Sequence, residues 1–149
     1  MKDILDPSQA GSALTKAVQS AFADMVFMDA ATAPIPSGRP ADRAAIDMLK
    51  PLSLRLEIAA GPELRKRISG ILFGDDSERN SDDAFLELVN VTAGVFLSTY
   101  YGAKSEVRLE LPRYLYGMDQ EEGSLVCEVG FDAEGEAVVA ALRSMRYRY

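Results

Sequence analysis

The sequence predicts an α+β domain of two layers, an antiparallel β-sheet covered by two long helices and one short helix. Three observations carry this. Apolar residues recur at helical spacing near residues 7–28 and again over 81–102. PLSLRLEIA, VRLEL and SLVCEVGF alternate apolar and polar residues with the period of a strand. DAEG then forms a turn that returns the chain into another strand-competent run. Strands that follow one another through short connections pair antiparallel, and amphipathic helices cover the sheet they help form.

Taken in order, the first helix starts at Pro7, after Asp6, or at Ser12, after Gly11, and runs to Met28. Leu14, Ala17, Val18, Ala21, Phe22 and Met25 supply its apolar face. Residues 29–51 contain three prolines and a glycine in ATAPIPSGRPADR and read as a loop or a ragged edge strand. Ile46, Met48 and Leu49 fit a strand or a short helix. In PLSLRLEIA, Leu52, Leu54, Leu56 and Ile58 face one way and Ser53, Arg55 and Glu57 the other, a half-buried strand.

Gly61-Pro62 opens a short helix that ends near Phe73 with Gly74 as its stop, burying Leu64, Ile68, Ile71 and Leu72. GDDSERN is a polar loop, and Asn80 or Ser81 caps the third helix, whose first turn holds Asp82 and Asp83. VRLEL is a strand closed by Pro112. SLVCEVGF is the next, and EAVVAALRSMRYRY returns as its partner, although its alanines also permit a helix from Glu136 to Met145. Arg143, Arg146 and Arg148 alternate with Met145, Tyr147 and Tyr149 as a charged edge strand would. Tyr100, Tyr101, Tyr114 and Tyr116 are expected at the core rim or sheet edge.

The 149 residues are 48% apolar and 26% charged, which suits one domain over 1–149. Folding at this size hides about two-thirds of the chain's surface. A net charge of -7 repels phosphate backbones, so nucleic acid is excluded as a partner. Without histidine there is no Ser-His-Asp or Cys-His catalysis, and most transition-metal sites are ruled out. The lone Cys127 reads as a small core-facing residue beside Leu125, Val129 and Phe131. A lone cysteine, an N-terminal stretch with no apolar segment, and no run of eighteen apolar residues predict a cytoplasmic protein that does not insert into membranes.

The third helix carries the functional signal. Asp83, Glu87, Asn90 and Gly94 are spaced by four, three and four residues. At about 100° per residue they share roughly 60° of arc. Phe85, Val89, Thr92, Phe96 and Thr99 fall on the far side, flanked by Leu88 and Val95. Mid-helix, asparagine is mildly unfavourable and glycine costs about 1 kcal/mol relative to alanine. Exposed helix faces routinely carry Glu, Asp and Asn, so this helix alone reads as solvated surface. Asparagine and glycine on one stripe still call for a reason, such as close approach of another backbone. The first helix echoes the pattern, setting Ser12, Lys16, Gln19 and Ala23 against Asp83, Glu87, Asn90 and Gly94.

Asp83-x3-Glu87-x2-Asn90, followed after twenty-one residues by Pro112, resembles the signature of the CheC/CheX/FliY family: Asp or Ser, x3, Glu, x2, Asn, then Pro about one residue further on than here. The preceding strand, the short helix ending ILFG, the acidic loop and the LELP strand match the family's layout, most clearly over residues 50–131. A single motif copy is most like CheX.

The resemblance implies a CheC-like fold and a phosphatase acting on the phosphoaspartate of a CheY-like response regulator. It implies that Glu87 pairs with the regulator's active-site lysine and that Asn90 orients the attacking water. Asp83 and Gly94 would serve docking. The chain would need no cofactor of its own, since the divalent ion sits on the regulator, and relatives pair as homodimers. An acyl phosphate already has a good leaving group, so holding water in line supplies most of the help. The rival reading is a non-catalytic interaction module of the chemotaxis or flagellar switch apparatus. A small-molecule hydrolase lacks any nucleophile–base pair or Gly-rich phosphate loop to support it.

Overall fold

The computed structural model describes residues 5–40, 42–74, 81–116 and 123–145, with only the backbone at Ser81 and Asp82. The expected caps at Asn80 and Ser81, most of the GDDSERN loop, and Arg146, Tyr147, Arg148 and Tyr149 lie outside this description.

Helix α1 spans Pro7–Val26. Of the two candidate starts, Asp6 is the cap: its carboxylate accepts from Ser8 N at 2.9 Å and Gln9 N at 3.4 Å, and Pro7 takes the first helical position. Phe27 ends the helix in the left-handed conformation at φ 55° and ψ 37°, and Met28 N donates to Phe22 O at 3.2 Å. Residues 29–51, ambiguous in sequence, resolve into strands β1 (Ala30–Ala33) and β2 (Asp42–Lys50). β3 is Leu54–Ala60, α2 is Pro62–Phe73 and α3 is Ser81–Tyr101. Short strands β4 (Arg108–Leu109) and β5 (Arg113–Leu115) follow, then β6 (Ser124–Ala133) and β7 (Glu136–Ser144). The helical alternative for the last segment is therefore not taken. Its register with two neighbouring strands satisfies the backbone on both sides.

The strands form one antiparallel sheet in the order β1-β6-β7-β3-β2-β4, with β5 also on β2. This order is palindromic. Exchanging β1 with β4–β5, β6 with β2 and β7 with β3 returns the same sheet, with the axis between β3 and β7. The helices obey it too: α1 packs on β6, α3 packs on β2, and the two pack on each other. From Ser12 to Ala23 in α1, the sequence of buried, half-buried and exposed positions repeats without change from Asp83 to Gly94 in α3. The weak echo between the two helices thus has a counterpart in three dimensions.

One face of the sheet meets the helices. Ile46, Met48, Leu54, Leu56, Ile58, Phe131, Val138 and Leu142 join Leu14, Phe22, Phe85 and Phe96 in the apolar core. The other face corrects two expectations. β3 is buried along its whole length rather than on one side, because it lies between two strands whose arginines span it. Arg55 donates to Asp47 at 2.7 Å, and Glu57 accepts from Arg43 at 3.2 Å and from Arg143 at 3.1 Å. Arg143 is correspondingly no edge-strand charge: β7 is interior to the sheet, and the residue is buried.

Smaller departures have local causes. VRLEL yields only a two-residue strand, since Pro112 has no N–H to continue the ladder and pairing resumes at Arg113. Ile71 is exposed rather than buried, and Ser69 takes a buried place in α2. A bulge between Leu125 and Cys127 breaks the alternation and leaves Leu125 half exposed, while Cys127 packs against the core. Tyr116 is 71% exposed, whereas Tyr100 is buried with its hydroxyl accepting from Asp6 N at 3.1 Å.

Candidate functional site

Helix α3 is fixed on three sides. Its apolar face sits on β2 and β3, α1 flanks it, and α2 packs along it. At its start Phe85 stacks on Tyr114 with ring centroids 6.0 Å apart, so the segment beyond Pro112 is tied to the motif helix. Thr92, buried within the helix, returns its hydroxyl to Leu88 O at 2.7 Å and so is satisfied by the helix itself. The helix stops at Gly102, where φ is 93° and the N–H donates to Ser98 O at 2.9 Å.

On the open side, Asp83, Glu87 and Gly94 are exposed and Asn90 is half-buried. Among the described residues, no hydrogen bond or ion pair engages the side chains of Asp83, Glu87 or Asn90. The carboxylate and carboxamide are therefore displayed together, one helical turn apart, on a rod whose position is set by packing. A Cβ built on Gly94 would meet nothing within 4 Å. The free chain thus supplies no steric reason for glycine there.

Ser98 continues the stripe by one more turn and is exposed. Its i+4 spacing from Gly94 is the signal in the sequence that marks it. Thr99, expected on the far side by angle, is exposed on the rim of a groove that the end of α3 forms with the first turns of α1.

The matching face of α1 is chemically different. Lys16 stands where α3 has Glu87 and reverses the charge. Gln19, in the place of Asn90, donates from Nε2 to Ala30 O at 3.0 Å and is spent on holding β1. The symmetry of shape is not a symmetry of chemistry.

Among the described residues no group of histidine, cysteine or acidic side chains is placed to hold a metal ion. No described helix is long and apolar enough to cross a membrane.

No family model matches the chain, and no curated protein matches it. Solved structures do match its fold. CheX from Desulfovibrio desulfuricans has a TM-score of 0.75 at 10% identity, covering 90% of this chain and 97% of that one. CheX from Vibrio vulnificus also has a TM-score of 0.75, at 13% identity over 94% and 99% of the two chains. The CheX–CheY–BeF3–Mg complex from Borrelia burgdorferi has a TM-score of 0.66 at 15% identity, covering 92% and 98%. CheC-like proteins and FliY are similar in the same way. The chain has the fold of the CheC/CheX/FliY family, and its one copy of the helix motif makes it most like CheX.

Proposed function

We propose that the chain is a phosphatase for the phosphoaspartate of a CheY-like response regulator, working from the open face of α3. The observation that carries this is the pairing of Glu87 and Asn90 on an accessible face of a packed helix, unclaimed by the chain's other described residues. A fold shared with a CheX that forms a complex with CheY supports the choice of partner.

In this reading α3 lies across the regulator's phosphorylation pocket. Glu87 pairs with the conserved lysine there and sets the helix in register. Asn90 inserts its carboxamide and holds a water in line with the phosphorus, accepting one of its protons as a hydrogen bond and fixing its lone pair toward the phosphoryl group. Positioning of this kind needs no strong base. Gly94 lets the two backbones approach, and Asp83 extends the acidic contact by one turn. The divalent ion that neutralises the phosphoryl oxygens belongs to the regulator, and the reaction takes place in the cytoplasm with it.

The test is turnover of regulator loaded with acetyl phosphate. Asn90→Ala removes the acceleration and retains binding, whereas Glu87→Ala weakens both. Normal hydrolysis by the Asn90→Ala protein would overturn the mechanism. Binding without turnover by the wild-type chain would make it a docking module instead.

A homodimer belongs to the same proposal. Val107, Leu111 and Tyr116 flank β4 and β5 and are exposed at that end of the sheet, where they offer apolar contacts to a second copy. Light scattering at micromolar concentration reads the mass directly; Leu111→Lys is expected to shift it to that of one chain, and a wild-type monomer would refute the pairing.

A further inference from the structure

The strand after Pro112 carries a side chain that several elements share. Tyr114 on β5 is in register with Ala44 of β2, whose side chain belongs to the core, so the tyrosine ring is on the side of the sheet that the helices cover. Phe85 of α3 stacks on it, with centroids 6.0 Å and planes 25° apart. Arg65 of α2 sets its guanidinium carbon 5.5 Å from the centre of the same ring. That guanidinium is held in turn, with Nε at 3.1 Å and Nη2 at 2.8 Å from Asp42 Oδ2 at the start of β2. Tyr116, 71% exposed, adds a third ring 6.2 Å beyond Tyr114.

Stacked rings and a cation over a ring constrain orientation as well as distance, because the ring quadrupole favours particular faces. An aliphatic side chain would fill the same place without that constraint. Phe85 is where the constraint reaches the motif. It stands two residues after Asp83 and two before Glu87, which at about 100° per residue points it away from both. It is also the first large side chain described on α3, and it is fully buried.

Whatever turns Phe85 about the helix axis therefore carries the two acids with it. At roughly 6 Å from that axis, a turn of about 10° displaces a carboxylate by about 1 Å. A misplacement of about 1 Å can cost about 100-fold. Asn90 has separate support, since Leu88, Val89, Ala93 and Phe96 around it are all fully buried.

We propose that Tyr114 is a positioning residue for the docking acids. Acting through Phe85 and steadied by Arg65, it sets the angle at which the start of α3 presents Asp83 and Glu87 to the regulator. This rests on the reading of α3 as the helix that meets the regulator.

The test compares wild type, Tyr114→Leu and Tyr114→Phe in turnover of regulator loaded with acetyl phosphate, with circular dichroism to verify each fold. Tyr114→Leu should raise KM about tenfold or more and leave kcat within about twofold. Tyr114→Phe keeps the ring and should restore KM to within about twofold of wild type. A tyrosine that only fills space would lower the melting temperature of the leucine variant and leave its KM alone, which would overturn the proposal. So would a phenylalanine variant as impaired as the leucine one. Where the leucine variant does not fold, Arg65→Met is read in its place. It withdraws the cation over the ring and should raise KM about two- to fivefold, and an unchanged KM would overturn the proposal. If the wild-type chain binds regulator without turnover, the phosphatase reading fails by itself, and the same ratios are then read as Kd for regulator carrying beryllium fluoride.

Discussion

Replacing Gly94 by alanine separates what helix α3 needs for itself from what the proposed partner needs of it. In the free chain the new methyl meets nothing within 4 Å, and the position is exposed and helical. Only backbone entropy and propensity then change, a gain of about 1 kcal/mol. With an unfolding entropy of about 2.1 cal/mol/K per residue, a chain of this length should melt about 3 °C higher. At a closely packed contact the same methyl acts as overpacking and costs roughly 1–3 kcal/mol. That is a loss of about 5- to 150-fold in affinity for the phosphorylated regulator. The two effects have opposite signs, and a general defect cannot mimic them. Thermal melts read the first, and KM for acetyl-phosphate-loaded regulator reads the second. A Gly94→Ala protein that melts higher and turns over regulator with unchanged KM would refute close approach at this position. One that melts lower would refute the account of α3 itself.

The ion pairs behind the sheet give a second expectation. Glu57→Ala strips the shared acceptor from Arg43 and Arg143 and should cost about 3–5 kcal/mol, the usual loss when one partner of a buried ion pair is removed. Denaturant unfolding measures it, and a loss under about 1 kcal/mol would reduce the cluster to the worth of a surface pair. Cys127 supplies the pH dependence. Burial pushes its thiol from 9.0 up to about 11, disfavouring the thiolate. The folded pKa is raised, so this contribution to stability is complete below pH 9.0 and is lost as pH climbs toward about 11. At pH 8 a thiol reagent should therefore label the native chain far more slowly than the chain in denaturant. Equal rates would contradict the burial.

The helices are readable because their evidence is local. Asp6-Pro7 caps α1 and Gly61-Pro62 opens α2, each within one turn of chain, and the motif stripe is a matter of spacing along a single rod. Where expectation failed, a distant partner decided. Arg55 and Glu57 look solvent-facing within PLSLRLEIA, and nothing within ten residues of Glu57 reveals Arg143, its partner on β7. The 29–51 segment is ambiguous for the same reason: Ala30–Ala33 becomes a strand only because β6 lies beside it. Thr99 departs from its expected side because helical angle describes one cylinder, and exposure depends on where the neighbouring cylinder ends.

Amino-acid order alone determined the α+β class, the three helices, and which four residues share the open face of α3, because periodicity is written in neighbours a turn or a strand pair apart. Tertiary structure alone decided the palindromic strand order, the silencing of Gln19 against Ala30, and the ion pairs of Glu57 with Arg143 and of Arg39 with Glu128. Those features join residues 11 to 89 positions apart, and their free energy exists only once the sheet has closed.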